Sequence, residues 1–310
     1  PPRSTLFPYT TLFRSKAFFY LEKHLKCKQK KYQRVIKTDE AFVNFYSTAE
    51  WKNLWKKDWY SEFENQLAEA DYFLSSGKPE KAIEILNSAV EKNQSNAQVF
   101  FLFAKAQISL GESAPAIINI NKAIELEKEN SDYFQLRGEI FLKTKKIKLA
   151  LKDFETALQF NPANLYLLKE KAGAEAENKL FAEAIINYKT YLQYMPEDVE
   201  ALYSYSCLLY ELKQYEEANM HFTKLIESDP KNAQYLVSRG NNFFLNKLYL
   251  SAETDYNQAL DLDPKNAEAY NNRALCRMFL KNERGACSDF KKAASLNFPG
   301  AEEQLKKNCK

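Results

Sequence analysis

From residue 63 to residue 300, apolar side chains recur at three- and four-residue spacing in short blocks separated by brief polar stretches. That spacing is the mark of amphipathic helices. It predicts pairs of them, such as 131–144 with 147–160. The blocks keep a fixed period. Ala82, Ala116, Ala150, Ala184, Ala218, Ala252 and Ala286 stand 34 residues apart, with nothing inserted or lost between them. Twelve residues before each alanine is a second small residue: Ala70, Ala104, Gly138, Ala172, Ser206, Gly240 and Ala274. Four residues after each is a bulky one: Leu86, Ile120, Phe154, Tyr188, Phe222, Tyr256 and Phe290. Small residues belong where two helix backbones approach. The bulky column is expected to fill the space between neighbouring helix pairs. Pro162, Pro196, Pro230 and Pro264 end four of the units, because proline cannot continue a helix. Two residues later, Asn164, Asp198, Asn232 and Asn266 offer a side-chain oxygen as N-cap, with Asn96 and Asn130 in the same slot earlier. The prediction is an all-α solenoid of helix–turn–helix repeats in seven gap-free units: 63–96, 97–130, 131–164, 165–198, 199–232, 233–266 and 267–300.

The columns resemble those of the tetratricopeptide repeat. In the third unit Phe134, Gly138, Phe141, Ala150, Phe154, Ala157 and Pro162 occupy that family's signature slots. In the sixth, Leu236, Gly240, Phe243, Tyr249, Ala252, Tyr256, Ala259 and Pro264 do so. There are departures: Gln107, Glu175 and Arg277 replace a large apolar residue late in the first helix, and Pro79 and Ser113 replace an aromatic at the turn. The resemblance implies a right-handed superhelix whose first helices line a concave inner face. It thereby implies Tyr203, Tyr210, Val237, Asn241, Phe244, Asn271, Leu275 and Met278, with Cys207, as partner-binding residues. The implied function is a non-catalytic protein–protein interaction scaffold that binds a peptide or partner protein. The alternatives are a regulatory or targeting array of a larger protein whose N-terminal domain is missing, or a cell-envelope assembly factor. Two specialised binding modes of the family do not fit. A carboxylate clamp finds Asn241 and Asn272 but has Val237 where it needs lysine, and an asparagine ladder finds only Asn272 among Ala68, Leu102, Leu136, Glu170, Ser204, Ser238 and Asn272.

The pattern stops near residue 62. Residues 5–15 resemble a translated sequencing adapter, so residues 1–15 read as an artefactual segment with the natural start lying upstream. Any signal peptide or upstream domain is then out of sight, and the compartment stays open between cytoplasm and periplasm. Residues 16–62 form an N-terminal extension ending in a tryptophan-rich helical cap. Phe18–Leu21 and Tyr32–Ile36 read equally as short strands or as irregular helix. From Thr38 the spacing is helical, with Ala41, Phe42, Phe45 and Tyr46 on one side. Ser47 with Glu50, and Ser61 with Glu64, have the spacing of capping boxes. Trp51, Trp55 and Trp59 are expected to cover the open end of the first repeat. Residues 301–310 read as the C-terminal capping helix that a solenoid requires.

Residues 1–62 carry 13 basic and 6 acidic side chains and the rest 31 and 35, so the array itself is mildly acidic. The basic side chains Lys23, Lys26, Lys28, Lys30, Lys31 and Arg34 lie outside it. A nucleic-acid partner is therefore not expected, since it favours a basic stripe along the repeats. There is no apolar run long enough for a transmembrane helix. His24 and His221 are far apart, and neither a phosphate loop nor a catalytic triad appears, so no catalytic residue, cofactor or metal is predicted. The acidic residues are expected on solvent faces. None of the five cysteines forms a CxxC pair. Cys287 and Cys309 fall on the last second-helix and the closing helix, where a disulfide would staple the end given an oxidising compartment. The oligomeric state is left open.

Overall fold

The computed structural model describes residues 7–27 and 30–309. Residues 1–6, on which part of the adapter-like segment falls, lie outside the described residues, as do Lys28, Gln29 and Lys310. Among the described residues every regular element is helical, and the fold is an all-α solenoid. The chain divides into two compact units, Pro1–Asn161 and Pro162–Lys310. Unit one opens with α1 (Phe7–Leu25), α2 (Gln33–Thr38), a 3-10 turn (Glu40–Phe45) and α3 (Ala49–Leu54). Three helix pairs follow: α4 (Glu62–Ser75) with α5 (Pro79–Lys92), α6 (Ala97–Ser109) with α7 (Ser113–Leu126), and α8 (Ser131–Lys143) with α9 (Ile147–Phe160). Unit two holds four pairs: α10 (Leu165–Glu177) with α11 (Phe181–Tyr194), α12 (Val199–Glu211) with α13 (Tyr215–Ser228), α14 (Ala233–Leu245) with α15 (Tyr249–Leu262), and α16 (Ala267–Phe279) with α17 (Glu283–Ser295). It closes with α18 (Ala301–Asn308).

Each first helix from α6 to α16 starts on its Asn or Asp cap. Asn96, Asn130, Asn164, Asp198, Asn232 and Asn266 all accept from a backbone N–H of the first turn. Each such cap stabilises its helix by about 1 kcal/mol. The first helix then ends in a left-handed residue: Gly77, Gly111, Lys145, Lys179, Lys213, Lys247 or Lys281, one per repeat. The residue after it donates back across the turn, as from Lys146 N to Phe141 O at 2.8 Å and from Gln214 N to Leu209 O at 2.9 Å. This bond satisfies a carbonyl that the helix end would leave orphaned.

All seven alanines of the column are fully buried. The bulky column packs between neighbouring pairs at Tyr188, whose ring lies 5.8 Å from that of Tyr205 on the next first helix, and at Phe154 and Tyr256 it also lies on the first helix of its own pair. A Cβ added at Gly138 would meet Phe154 at 2.5 Å, and one at Gly240 would meet Tyr256 at 2.7 Å. Glycine there is what lets an aromatic ring rest on the helix backbone.

Charge inside the stack corrects one expectation. Asp153, Asp255, Asp289 and Glu175 are only 3% exposed. Arg137, Arg239 and Arg273 hold the three aspartates through paired bonds of 2.7–2.9 Å. Each arginine also donates to the second helix of the preceding repeat, to Asn121, Thr223 and Asn257 respectively. One guanidinium thus ties two adjacent second helices to its own first helix. The departures in the late first-helix column are matched across the pair too. Gln107 accepts from Asn119 at 2.8 Å, Glu175 accepts from Asn187 at 2.6 Å, and Arg277 donates to Asp289 at 2.7 Å and to Glu253 at 2.6 Å. A buried polar side chain is tolerated when its partner is supplied.

The N-terminal extension is helical at both places where strands were an option, 18–21 in α1 and 33–36 in α2. Ser61 and Glu64 form a complete capping box. Ser47 and Glu50 do not, because Thr48 takes the cap position and accepts from Trp51 N. The tryptophans belong to a core distinct from that of the first repeat. Trp51, Trp55 and Trp59 gather with Leu21, Leu25, Ile36 and Leu54 in a small core of their own. It is Tyr32 that joins the first repeat's core, beside Phe63 and Leu67.

Candidate functional site

Chemistry on this scaffold depends on what the first helices present between the fixed core columns. In unit two, α12, α14 and α16 bring Tyr210, Asn241, Phe244, Leu245, Glu268 and Asn272 around a hollow of about 290 Å³, with Phe298 at its edge. Three of the expected residues, Tyr210, Asn241 and Phe244, therefore meet at one place. Asn241 is its hub. Its Oδ1 accepts from Tyr256 at 2.7 Å and from Asn272 at 2.9 Å, and its Nδ2 donates to Glu268 at 3.0 Å. The amide is thus fixed in one orientation, and Glu268 is aimed by it. Burial raises the Tyr210 hydroxyl above the ordinary tyrosine range, so it remains a neutral donor. Phe244 stacks edge-on with Tyr249 and with Phe279. Together they give an apolar wall beside a small polar centre, an arrangement suited to a peptide side chain and its adjoining amide.

The other expected residues fall elsewhere. Tyr203 sits half-buried against Tyr235, with its hydroxyl 3.2 Å from Ser238 Oγ. Cys207 is half-buried, and burial raises its thiol. Val237 is 0% exposed inside the core of the sixth repeat, so it cannot meet a partner. It shares that core with Ala269 of the next first helix. Asn271 is buried and spends its amide on Asn272 at 3.0 Å. Leu275 and Met278 pack with Leu305 and Cys309 on Phe290, under the closing helix. That helix is attached to α17 by a disulfide between Cys287 and Cys309, whose Cα atoms are 5.6 Å apart. Glu268 was not singled out from the sequence. Its signal is periodic: Glu64, Glu200 and Glu268 share one slot of the repeat.

In unit one the corresponding face is not open. Residues 30–35 run over it, and a larger hollow of about 650 Å³ lies between them and the repeats. Its lining includes Tyr32, Tyr60, Gln98, Glu127, Asn130 and Tyr133. None of these came out of the sequence as site residues, because the segment that creates the hollow lies outside the repeats.

Family models described as tetratricopeptide repeat match residues 97–130 and 131–164, and residues 203–267. Solved structures share the fold. A tetratricopeptide repeat protein from Parabacteroides merdae is 21% identical, with a TM-score of 0.56 over 79% of this chain and 97% of its own. The C-terminal part of a repeat protein from Cytophaga hutchinsonii is 18% identical, with a TM-score of 0.66 over 77% of this chain and 99% of its own. YrrB, described as having an unusual peptide-binding site, is 22% identical, with a TM-score of 0.55 over 59% of this chain and 95% of its own. No curated protein matches the chain.

Proposed function

This chain is a tetratricopeptide-repeat protein, a protein-interaction scaffold by virtue of its repeats, and from that premise we propose that it binds an extended peptide on the first-helix face of unit two, without catalysis. The observation that carries the reading is the convergence of Tyr210, Asn241, Phe244, Glu268 and Asn272 on one hollow. The aromatic side chains give contact area at little entropic cost, and the amide and carboxylate give directional bonds to a peptide backbone. The peptide-binding site described for YrrB is a property of that protein, and it supports the same use of this fold here. The test is affinity capture from a lysate of the organism of origin. The unaltered chain is compared with a Tyr210→Ala/Phe244→Ala variant of matched unfolding midpoint. A specific partner retained by the first and lost by the second supports the reading; equal retention overturns it.

A second reading, a cell-envelope assembly factor, has one observation behind it. The bond between Cys287 and Cys309 belongs to an oxidising compartment. Alkylation of the protein as extracted from cells decides this. Protection of both thiols supports the envelope reading, and their full modification removes it. No helix among the described residues is long and apolar enough to cross a membrane.

A further inference from the structure

We propose that residues 30–35, the approach to α2 and its first turn, are a tethered occupant of the first-helix face of unit one, and that this face exchanges them for a basic, tyrosine-bearing segment of a partner protein.

The segment is held as a ligand would be. Lys30 Nζ lies 2.9 Å from Glu64 Oε1, with its side chain only 12% exposed, and 5.0 Å from the centre of the Tyr60 ring. The Tyr60 hydroxyl donates to the Lys31 carbonyl at 2.6 Å. Tyr32 enters the core beside Phe63, Leu67 and Phe101, and burial pushes its hydroxyl up to about 12. Arg34 places its guanidinium 3.6 Å from the centre of the Tyr72 ring. The face thus recognises cation, tyrosine and cation in sequence, by a carboxylate, an apolar slot and an aromatic ring.

Three features make the occupant exchangeable. First, it belongs to no repeat: its flanks are anchored in the tryptophan core at Leu25 and Ile36, and Tyr32 is the side chain it lends to the first repeat's core. Second, the fit is incomplete, because the hollow of about 650 Å³ remains beside it. Third, the far wall of that hollow is ready for more positive charge. Glu127 accepts from the neutral Tyr133 hydroxyl at 3.1 Å and Asn130 amide at 3.4 Å, so a lysine or arginine arriving there gains an ion pair that residues 30–35 do not make. Gln98 lies in the same slot as Glu64, one repeat on, and lines the same hollow. A partner segment that fills both the track of residues 30–35 and this hollow makes every contact of the tethered one and the Glu127 pair besides.

The test uses a fluorescent peptide of sequence Lys-Lys-Tyr-Gln-Arg-Val-Ile, residues 30–36, added to the full-length chain and followed by anisotropy. The chain is compared as it stands, as Lys30→Glu/Arg34→Glu, and as that double variant with Glu64→Lys added. The double variant is expected to bind roughly tenfold more tightly or better, the gain from removing a tethered competitor at millimolar effective concentration. Glu64→Lys is expected to abolish that gain, and raised salt to weaken it. Equal affinity for all three chains, or no binding to a folded double variant, overturns the proposal. If the double variant fails to fold, Tyr32→Ser releases the segment without adding charge and is read by the same criteria. The peptide-capture test on unit two concerns other residues, so either proposal can fail alone.

Discussion

In unit one, the carboxylate of Glu64 holds the ammonium of Lys30. Six repeats on, in the same slot of unit two, the carboxylate of Glu268 accepts only a neutral amide hydrogen from Asn241 and faces a hollow. The two units share every core column, the N-caps, the left-handed turns and the buried arginine–aspartate pairs. They differ in what lies across their first helices. The scaffold follows from the 34-residue register, whereas the occupancy of its face is set by residues outside that register. Two faces of like construction thus differ in what lies against them: residues 30–35 cross the one, and a hollow beside Glu268 opens on the other.

If the scaffolds are equivalent, breaking the same internal contact should cost the same in each. Asp153→Ala in unit one and Asp255→Ala in unit two each leave a mostly enclosed arginine without its carboxylate, its side chain 21% and 18% exposed respectively. Each is expected to cost about 3–5 kcal/mol in urea unfolding. A large cost in one unit with little in the other would break the equivalence. The ends, by contrast, should respond differently. Unit two alone carries a disulfide, and reducing it is expected to cost about 3 kcal/mol for a closed loop of this size. The loss should appear in hydrogen exchange as faster exchange at 301–308, with the amides of α4–α9 unchanged. The smallest effect concerns the turns. Lys213→Gly removes a left-handed lysine and is expected to stabilise by about 1 kcal/mol, while Gly111→Lys in unit one destabilises by about the same. Thermal unfolding of the two variants checks that the effects are opposite in sign.

The helices, their pairing and the alanine contacts were legible in the sequence because each is a local pattern repeated seven times. Residues that act through one distant partner were harder to read. Arg137, Arg239 and Arg273 each stand 16 residues before an aspartate, a recurrence visible once the register is known, yet aspartate on a helix reads first as solvent-facing. The lysines of the left-handed turns gave no signal, since lysine has no preference for that conformation. On the face itself, the slot rule brings Tyr210, Asn241 and Phe244 to one hollow, whereas Val237, named by the same rule, is buried. A slot gives direction along a helix, but burial also depends on the residue opposite. The course of residues 30–35 was not legible at all. Nothing repeats there, and their fit to Glu64 and Tyr72 exists only once the repeats have formed.

The most direct test of the contrast between the two faces is hydroxyl-radical footprinting of the full chain, unaltered and as Lys30→Glu/Arg34→Glu, read by mass spectrometry. The account predicts that the double variant gains labelling at Phe63, Leu67 and Tyr72 while labelling at Tyr210 and Phe244 stays as it is. Unchanged labelling in unit one, or a gain at Tyr210 and Phe244 in unit two, would contradict it.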